Sequence, residues 1–381
     1  MGANERIRMG VIGCGGMARH HLDLLTKQHA GDVDVVAICD VYEPNAAAGR
    51  EFYPGAELYG DYRRVLDRRD VDAVLIATPD HWHCRNLIDA VRAGKDAYCE
   101  KPMSWSLEQS AEMVREVRKT DRIVQIGMQR RSAEPVLEAK KLVDAGLLGD
   151  VSLARVWWYW NFGWLPPESQ LSLEGKLDWD RFQEPCAEKD RVPLSIRRFR
   201  AWRYFWAYSG GNMTDQGTHL LDVVQWFCNA GEPPLAAQAF GENYAPRDYE
   251  TPDTLCAIFE FPKFMATFTL TYNNNYLDAW GICLQGNKGT LLLDDTGAKL
   301  FAEPWKRKNG KPPPPAHTVE GGLTVAAHWA NFIECVRTRK QPNAPVEVGQ
   351  KAVAGLHLAN IAHHRRRRAE LARDGVTVRV T

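Results

Sequence analysis

Apolar positions fall in two patterns along the chain. In the first third, unbroken apolar runs alternate with segments of helical spacing. The runs are 7–12, 33–39, 71–77, 96–99 and 123–126. The helical segments include one through Leu22, Leu24 and Leu25, then 81–93 and 107–119. Strands that are apolar throughout, each followed by a helix, are buried on both faces, which predicts a doubly wound parallel sheet. After Gly127 the pattern changes. One helix, about 133–145, precedes strands at 151–159, 235–240, 255–261, 264–272, 280–285 and 289–294. Pro262-Lys263 and the 286–289 run supply turns between some of them, and 306–316 reads as a polar, proline-rich loop. Helices are expected over 324–338 and 351–372. Clustered strands without intervening helices predict an α+β domain with a large, mostly antiparallel sheet. The expected division is therefore residues 1–127 and 128–381, in keeping with a length of 381 residues.

The first strand runs straight into Gly13, Gly15 and Gly16. Strand, glycine turn and helix open a dinucleotide-binding Rossmann unit. Gly13 permits the tight turn, Gly15 lets the backbone approach a pyrophosphate, and Ala18 is the small residue where helix meets strand. Gly13, Gly15, Gly16, Met17 and Ala18 are thus the expected phosphate cradle, with free N–H groups at the helix start. The second strand ends at Asp40, placed to accept hydrogen bonds from a ribose 2′-hydroxyl. A carboxylate there repels a 2′-phosphate, and no Arg stands at Val41 or Tyr42, so NAD is expected over NADP. Arg50 is the nearest residue that could reverse this. Thr78-Pro79 and Glu100-Lys101-Pro102 follow the third and fourth runs, at the sheet edge where such folds bind ligands.

Composition narrows the field. The 48 basic and 48 acidic residues cancel, so no general attraction to nucleic acid or an anionic membrane is expected. The basic run 365–368 reads as a solvated helix end. Nine cysteines are scattered singly, with no pair or Cys/His cluster at metal spacing. Free cysteines in apolar strands, no signal-peptide core and no long apolar span point to the cytoplasm and to no metal.

The glycine turn with Asp40, the Thr78-Pro79-Asp80-His81-Trp82-His83 stretch, Glu100-Lys101-Pro102 and Asp215-Gln216-Gly217-Thr218-His219 together resemble the Gfo/Idh/MocA oxidoreductase family, over nearly the whole chain. The resemblance implies an NAD(P)-dependent dehydrogenase of sugars, cyclitols or their derivatives. It also implies Lys101 as the catalytic lysine, Asp215 and His219 as the paired acid and histidine, and a cis Lys101–Pro102 bond.

The residue chemistry agrees. Taking a hydride from a secondary alcohol needs a group that accepts the hydroxyl proton and a donor that steadies the developing oxyanion. His219 suits the first role and Lys101 the second. Asp215 and His219 stand four apart and share a helix face, which Gly210-Gly211 would place in the first turn. A helix N-terminus would help keep His219 neutral. Asp215 could orient the ring or bind a substrate hydroxyl. Glu100 would pair with Lys101 or contact the nicotinamide ribose, and His83 is expected to be structural or to stand at the cofactor rim.

Seven of the 13 tryptophans lie between Trp157 and Trp206. Aromatic faces suit pyranose rings, so Trp160 is a candidate for the sugar wall, while core packing claims more than half of this group. Arg197, Arg198, Arg200 and Arg203 stand in the same stretch. Gln129, Arg130 and Arg203 are carried as substrate candidates with Lys101, Asp215 and His219. An NAD-dependent sugar or polyol dehydrogenase is the main expectation. An NAD-recycling glycosidase or lyase acting through a transient keto-sugar needs the same residues. A non-catalytic dinucleotide sensor would not need all three. A homodimer or homotetramer is expected, from the resemblance and because both faces of the 264–272 strand read as apolar.

Overall fold

The computed structural model describes residues 6–245, 248–276, 280–304 and 313–381. Most of the expected loop at 306–316 lies outside them. The chain divides into two compact units. The first comprises residues 1–127, 165–209 and 328–350; the second comprises 128–164, 210–327 and 351–381. The sequence reading placed one boundary at residue 127. The chain does cross there, but it then returns twice to the first unit.

The first unit is built on a parallel sheet of β1 (Ile7–Ile12), β2 (Val33–Cys39), β3 (Glu57–Tyr59), β4 (Ala73–Ile76), β5 (Asp96–Cys99) and β6 (Val124–Ile126). The strand order is β3-β2-β1-β4-β5-β6. Between them run α1 (Gly16–Gln28), α2 (Glu43–Arg50), α3 (Tyr62–Leu66), α4 (Asp80–Arg92) and α5 (Leu107–Val117). Strands β1, β4 and β5 are almost wholly buried, which is why they read as unbroken apolar runs. The order reverses beside β1, so β1 and β4 open a crevice at their carboxyl ends.

The second unit opens with α6 (Glu134–Asp144) and β7 (Val151–Tyr159). Two short helices, α7 (Trp179–Phe182) and α8 (Ile196–Arg200), belong to the segment that returns to the first unit. Then come α9 (Gly211–Cys228), β8 (Ala236–Glu242), β9 (Thr254–Glu260), β10 (Met265–Thr271), β11 (Trp280–Gly286), β12 (Gly289–Asp294), β13 (Gly297–Ala302) and β14 (His317–Glu320). Helices α10 (Ala326–Thr338) and α11 (Val346–Arg365) and strands β15 (Ala369–Leu371) and β16 (Val378–Val380) close the chain. Strands β7 to β16 form one ten-stranded sheet. Its pairs are antiparallel except β7 with β10, which run parallel. About a hundred residues separate these two strands, ample for the crossover that a parallel pair needs. Helix α9 lies on this sheet, and at Gly217 it is closely packed against both α11 and β10. A Cβ there would sit 2.5 Å from Leu356 and 3.3 Å from Phe268.

Two readings are corrected. The helix expected over 351–372 starts earlier and stops at Arg365, because Arg366 takes a left-handed conformation and the chain re-enters the sheet as β15. The basic run 365–368 lies at the end of this helix and is largely exposed, as expected of a solvated helix end, with Arg366 meeting Glu242 and Arg368 meeting Glu260 at the surface. The strand at 264–272 is apolar on one face only. Its buried side carries Phe264, Ala266, Phe268, Leu270 and Tyr272, while its other side carries Met265 and three threonines.

Candidate active site

In the first unit the glycine turn is fixed by its neighbours. Gly13 has φ +82°, and a Cβ there would meet the backbone of Thr78 at 2.7 Å. The turn and the β4 end can touch only because this residue has no side chain. Gly15 and Gly16 have nothing within 4 Å of an added Cβ. That open space, beside the N-terminus of a 13-residue helix without a side-chain cap, fits a pyrophosphate.

Asp40 ties the turn to β2. Its carboxylate accepts from the Cys14 N–H at 2.7 Å, the Tyr42 N–H at 2.8 Å and the Asn45 amide at 3.3 Å. Burial raises its pKa against the pull of these donors. The same burial, with Asp40 adjacent, pushes the Cys14 thiol up to about 12, so it stays a neutral hydrophobe.

A cavity of about 360 Å³ runs along this edge. Gly13, Gly15, Gly16, Met17, Asp40, Thr78, Pro79, His83, Glu100 and Lys101 all line it. Ala18, by contrast, is fully buried and serves the helix–strand contact. His83 is buried, with Nδ1 at 2.7 Å from the Pro102 carbonyl and Nε2 at 2.8 Å from the Thr78 carbonyl. It is a brace between the β4 and β5 ends. The Lys101–Pro102 peptide is cis. Glu100 is 6 % exposed; it accepts from the Lys101 N–H at 3.1 Å and meets His21 Nε2 at 2.8 Å. Burial pushes its carboxyl toward protonation, but the His21 hydrogen bond and the adjacent Lys101 hold its pKa below the ordinary glutamate value.

The segment 165–209 supplies the rest of the cavity wall, through Arg181, Phe182, Phe199, Arg200, Trp202 and Arg203. It is stitched down along its length. The Asp178 N–H donates to Val41 at 2.8 Å, the Trp82 indole donates to Phe182 at 2.9 Å, and Arg181 pairs with Asp61 at 2.6 Å. Ser209 donates to Asp80 at 2.7 Å. Burial takes His81, whose ring meets the same Phe182 carbonyl, down to about 4. Arg203 was a substrate candidate; the structure places it on the wall shared with the glycine turn. Sequence reasoning missed this strap, because the short helices in an aromatic-rich stretch gave no period to follow.

In the second unit, Asp215 and His219 lie on one face of α9, but not in its first turn. They are the fifth and ninth residues of an 18-residue helix. The field of a helix terminus fades within one turn, so the expected help in keeping His219 neutral does not apply. Asp215 is buried and accepts from Gln216 Nε2 at 3.1 Å, and Gln216 also donates to the Tyr272 hydroxyl at 2.6 Å. The His219 ring stacks on Trp158 at 6.3 Å, and Trp158 neighbours Trp160 at 6.5 Å. Trp160 is 46 % exposed and also meets Phe162 and Tyr272 edge-on. The structure thus groups Asp215, His219 and Trp160.

Gln129 is half-buried in a short 3₁₀ turn. Arg130 is buried with its guanidinium 3.8 Å from the Trp280 ring centre, and burial lowers it to about 9. Its neighbour Arg131 clamps Asp222 at 2.7–3.1 Å. Both arginines are committed to the interior. Among the described residues, no group of three His, Cys, Asp or Glu could hold a metal ion, and no helix is long and apolar enough to cross a membrane.

Residues 7–128 match the model of an oxidoreductase family with an NAD-binding Rossmann fold, named GFO_IDH_MocA, and residues 136–292 match the GFO/IDH/MocA C-terminal domain. This chain belongs to the Gfo/Idh/MocA family. An inositol 2-dehydrogenase from Klebsiella pneumoniae is 36 % identical over 152 residues, covering 39 % of this chain and 44 % of the relative. An inositol 2-dehydrogenase/D-chiro-inositol 3-dehydrogenase from Lacticaseibacillus casei is 33 % identical over 39 % of this chain and 43 % of its own length. The chain therefore aligns with less than half the length of these relatives. Two solved structures share the fold over nearly the full chain. The WlbA dehydrogenase of Bordetella pertussis, in complex with NADH and UDP-GlcNAcA, has a TM-score of 0.74 at 21 % identity, covering 97 % of this chain and 99 % of its own. A levoglucosan dehydrogenase in complex with NADH and levoglucosan has a TM-score of 0.73 at 19 % identity, covering 96 % and 99 %.

Proposed function

We propose that this protein is an NAD-dependent oxidoreductase acting on a secondary hydroxyl of a sugar, glycoside or cyclitol. The observation that carries the reading is the single cavity edge shared by Gly13, Asp40, Glu100 and Lys101. It puts a lysine donor beside a cradle suited to a dinucleotide. When bound there, NAD supplies the hydride acceptor. Lys101 donates to the substrate oxygen as negative charge develops, His219 takes the hydroxyl proton, and Asp215 orients a hydroxyl or the His219 ring. This assignment requires Lys101 to converge with Asp215 and His219 over the nicotinamide. Trp160, with Trp158 behind it, offers a face to the sugar ring.

NAD rather than NADP follows from Asp40, whose carboxylate already fills the position a 2′-phosphate would approach. The test is a panel of sugars, glycosides and inositols with each cofactor, followed at the nicotinamide absorbance. A second reading keeps the same chemistry without net oxidation. The stitched strap over the cofactor cavity favours it, since a dinucleotide under a fastened wall leaves slowly and is suited to transient redox. Retention of nucleotide through purification, with product formed but no net NADH, would select this second reading.

We also propose that the protein assembles with itself through the outer face of the large sheet. There Phe240, Ile258 and Met265 are exposed on three adjacent strands. It is proposed to act in the cytoplasm, as its unpaired cysteines suit.

A further inference from the structure

Glu100 rests on two residues outside the reaction chemistry, His21 of α1 and Trp329 of α10. Both side chains are fully buried. The Trp329 indole donates to His21 Nδ1 at 2.9 Å, and His21 Nε2 meets Glu100 Oε1 at 2.8 Å. Indole has only a donor, so Nδ1 accepts and carries no proton. The ring's one proton is therefore on Nε2, pointing at Glu100, an assignment fixed by the partners. Glu100 Oε2 accepts from the Lys101 N–H. Room for the carboxylate comes from Gly127, where a Cβ would sit 2.7 Å from Oε1.

The arrangement is rigid. Trp329 stacks on Tyr98 at 4.4 Å, and His21 lies edge-on to both rings. Helix α10 is pinned to β6 by His328 Nε2 at 2.9 Å from the Ile126 carbonyl and by the Gln125 amide donating to the His328 carbonyl at 2.8 Å. An unpartnered histidine beside a carboxylate would take a second proton and cancel its charge. Here the indole occupies the place that proton would need.

We propose that Trp329 and His21 orient Glu100 and hold its charge uncancelled, so that the cavity favours the cationic, oxidised nicotinamide over the neutral, reduced one. His21 and Trp329 are positioning residues, acting through Glu100. The proposal rests on NAD binding in this cavity and not on the substrate assignment. The other titratable groups around the pair are exposed His20 on α1, Tyr98 and Cys99 of β5, Lys101 beyond it, and His328 on α10. Burial raises Tyr98 and Cys99 well above their usual values, so neither takes charge near neutrality. His20, His328 and Lys101 are unchanged in each variant below, so comparison with wild type isolates His21.

The test measures dissociation constants for NAD⁺ and NADH at pH 6 and pH 8, by calorimetry without substrate, on the full-length protein. Glu100→Gln is expected to raise the NAD⁺/NADH ratio on the order of tenfold, the scale of one charge acting in a partly buried site. NAD⁺ should weaken while NADH stays near normal. In Trp329→Phe the Nδ1 atom loses its donor. At pH 6 the ring takes a second proton and cancels the carboxylate, so the ratio moves toward that of Glu100→Gln. At pH 8 it returns to the wild-type value. His21→Gln keeps an N–H donor at the Nε2 position without a titrating ring, and should match wild type at both values. Equal weakening of both nucleotides in Glu100→Gln would mark a merely structural carboxylate and overturn the proposal. A Trp329→Phe ratio that tracks wild type at both pH values would overturn it too. Failure of wild type to bind either nucleotide would remove the cofactor reading beneath it.

Discussion

The two sheets present functional groups in different ways. The six-stranded sheet presents its candidate groups at an edge: Gly13, Asp40, Thr78 and Lys101 each follow a strand end. The ten-stranded sheet presents its candidate group on a face: His219 stands on a helix laid across it, against Trp158 of β7 and beside the Tyr272–Gln216 pair. A strand-end site tolerates change in the strands but not in the turn. A face-borne site depends on the register of strands far apart in sequence. Substitutions in the first unit should therefore separate cofactor affinity from turnover, and those in the second should act on turnover and substrate affinity alone.

The largest effect expected is on turnover. His219→Ala should lower kcat by about 10²–10⁴-fold, the usual contribution of a general base, with the NAD dissociation constant unchanged. Lys101→Ala should also cripple kcat while NAD still binds, because its phosphates rest on the glycine turn. Equal losses of nucleotide binding in both variants would erase the contrast between edge and face.

A smaller effect, on stability, tests the interior of the second unit. Asp222→Ala leaves the buried Arg131 guanidinium without its clamp partner. Breaking a buried pair from one side costs about 3–5 kcal/mol, measurable by urea denaturation. A loss under about 1 kcal/mol would mean that Arg131 finds water or another acceptor.

Next in size is Gly13→Ala. A left-handed backbone with a Cβ strains by roughly 1–2 kcal/mol, and here the methyl also meets Thr78. NAD affinity should fall about tenfold or more with little change in kcat at saturation. Smallest is Trp160→Ala, expected to raise KM for a sugar a few-fold to about tenfold, as loss of one stacking face does. An unchanged KM across all active substrates would return Trp160 to packing.

The same contrast explains what was legible in the sequence. Unbroken apolar runs and a glycine cluster locate an edge site, because only Gly fits at φ +82° against Thr78 and only a strand end presents Asp40 to the turn. The face site was half legible. The four-residue spacing of Asp215 and His219 placed them on one helix side, but their depth in α9 was misjudged. No local pattern announces that Trp158 meets His219, or that Arg130 turns inward onto Trp280. The strap and the Trp329–His21–Glu100 chain were hidden for the same reason: their partners lie 79 to 308 residues apart.

The proposed reaction moves a hydride from the carbon bearing a secondary hydroxyl to NAD, with Lys101 and His219 at the oxygen. Its most direct test is incubation of the wild-type protein and the His219→Ala variant with NAD and a pyranose or inositol deuterated at the carbon to be oxidised. Mass spectrometry then follows the label, whether it ends in NADH or is returned within a retained cofactor. The account predicts deuterium on the nicotinamide with wild type and almost none with the variant. Absence of label on nicotinamide from every sugar, glycoside and cyclitol tried, by a protein that binds NAD, would contradict it.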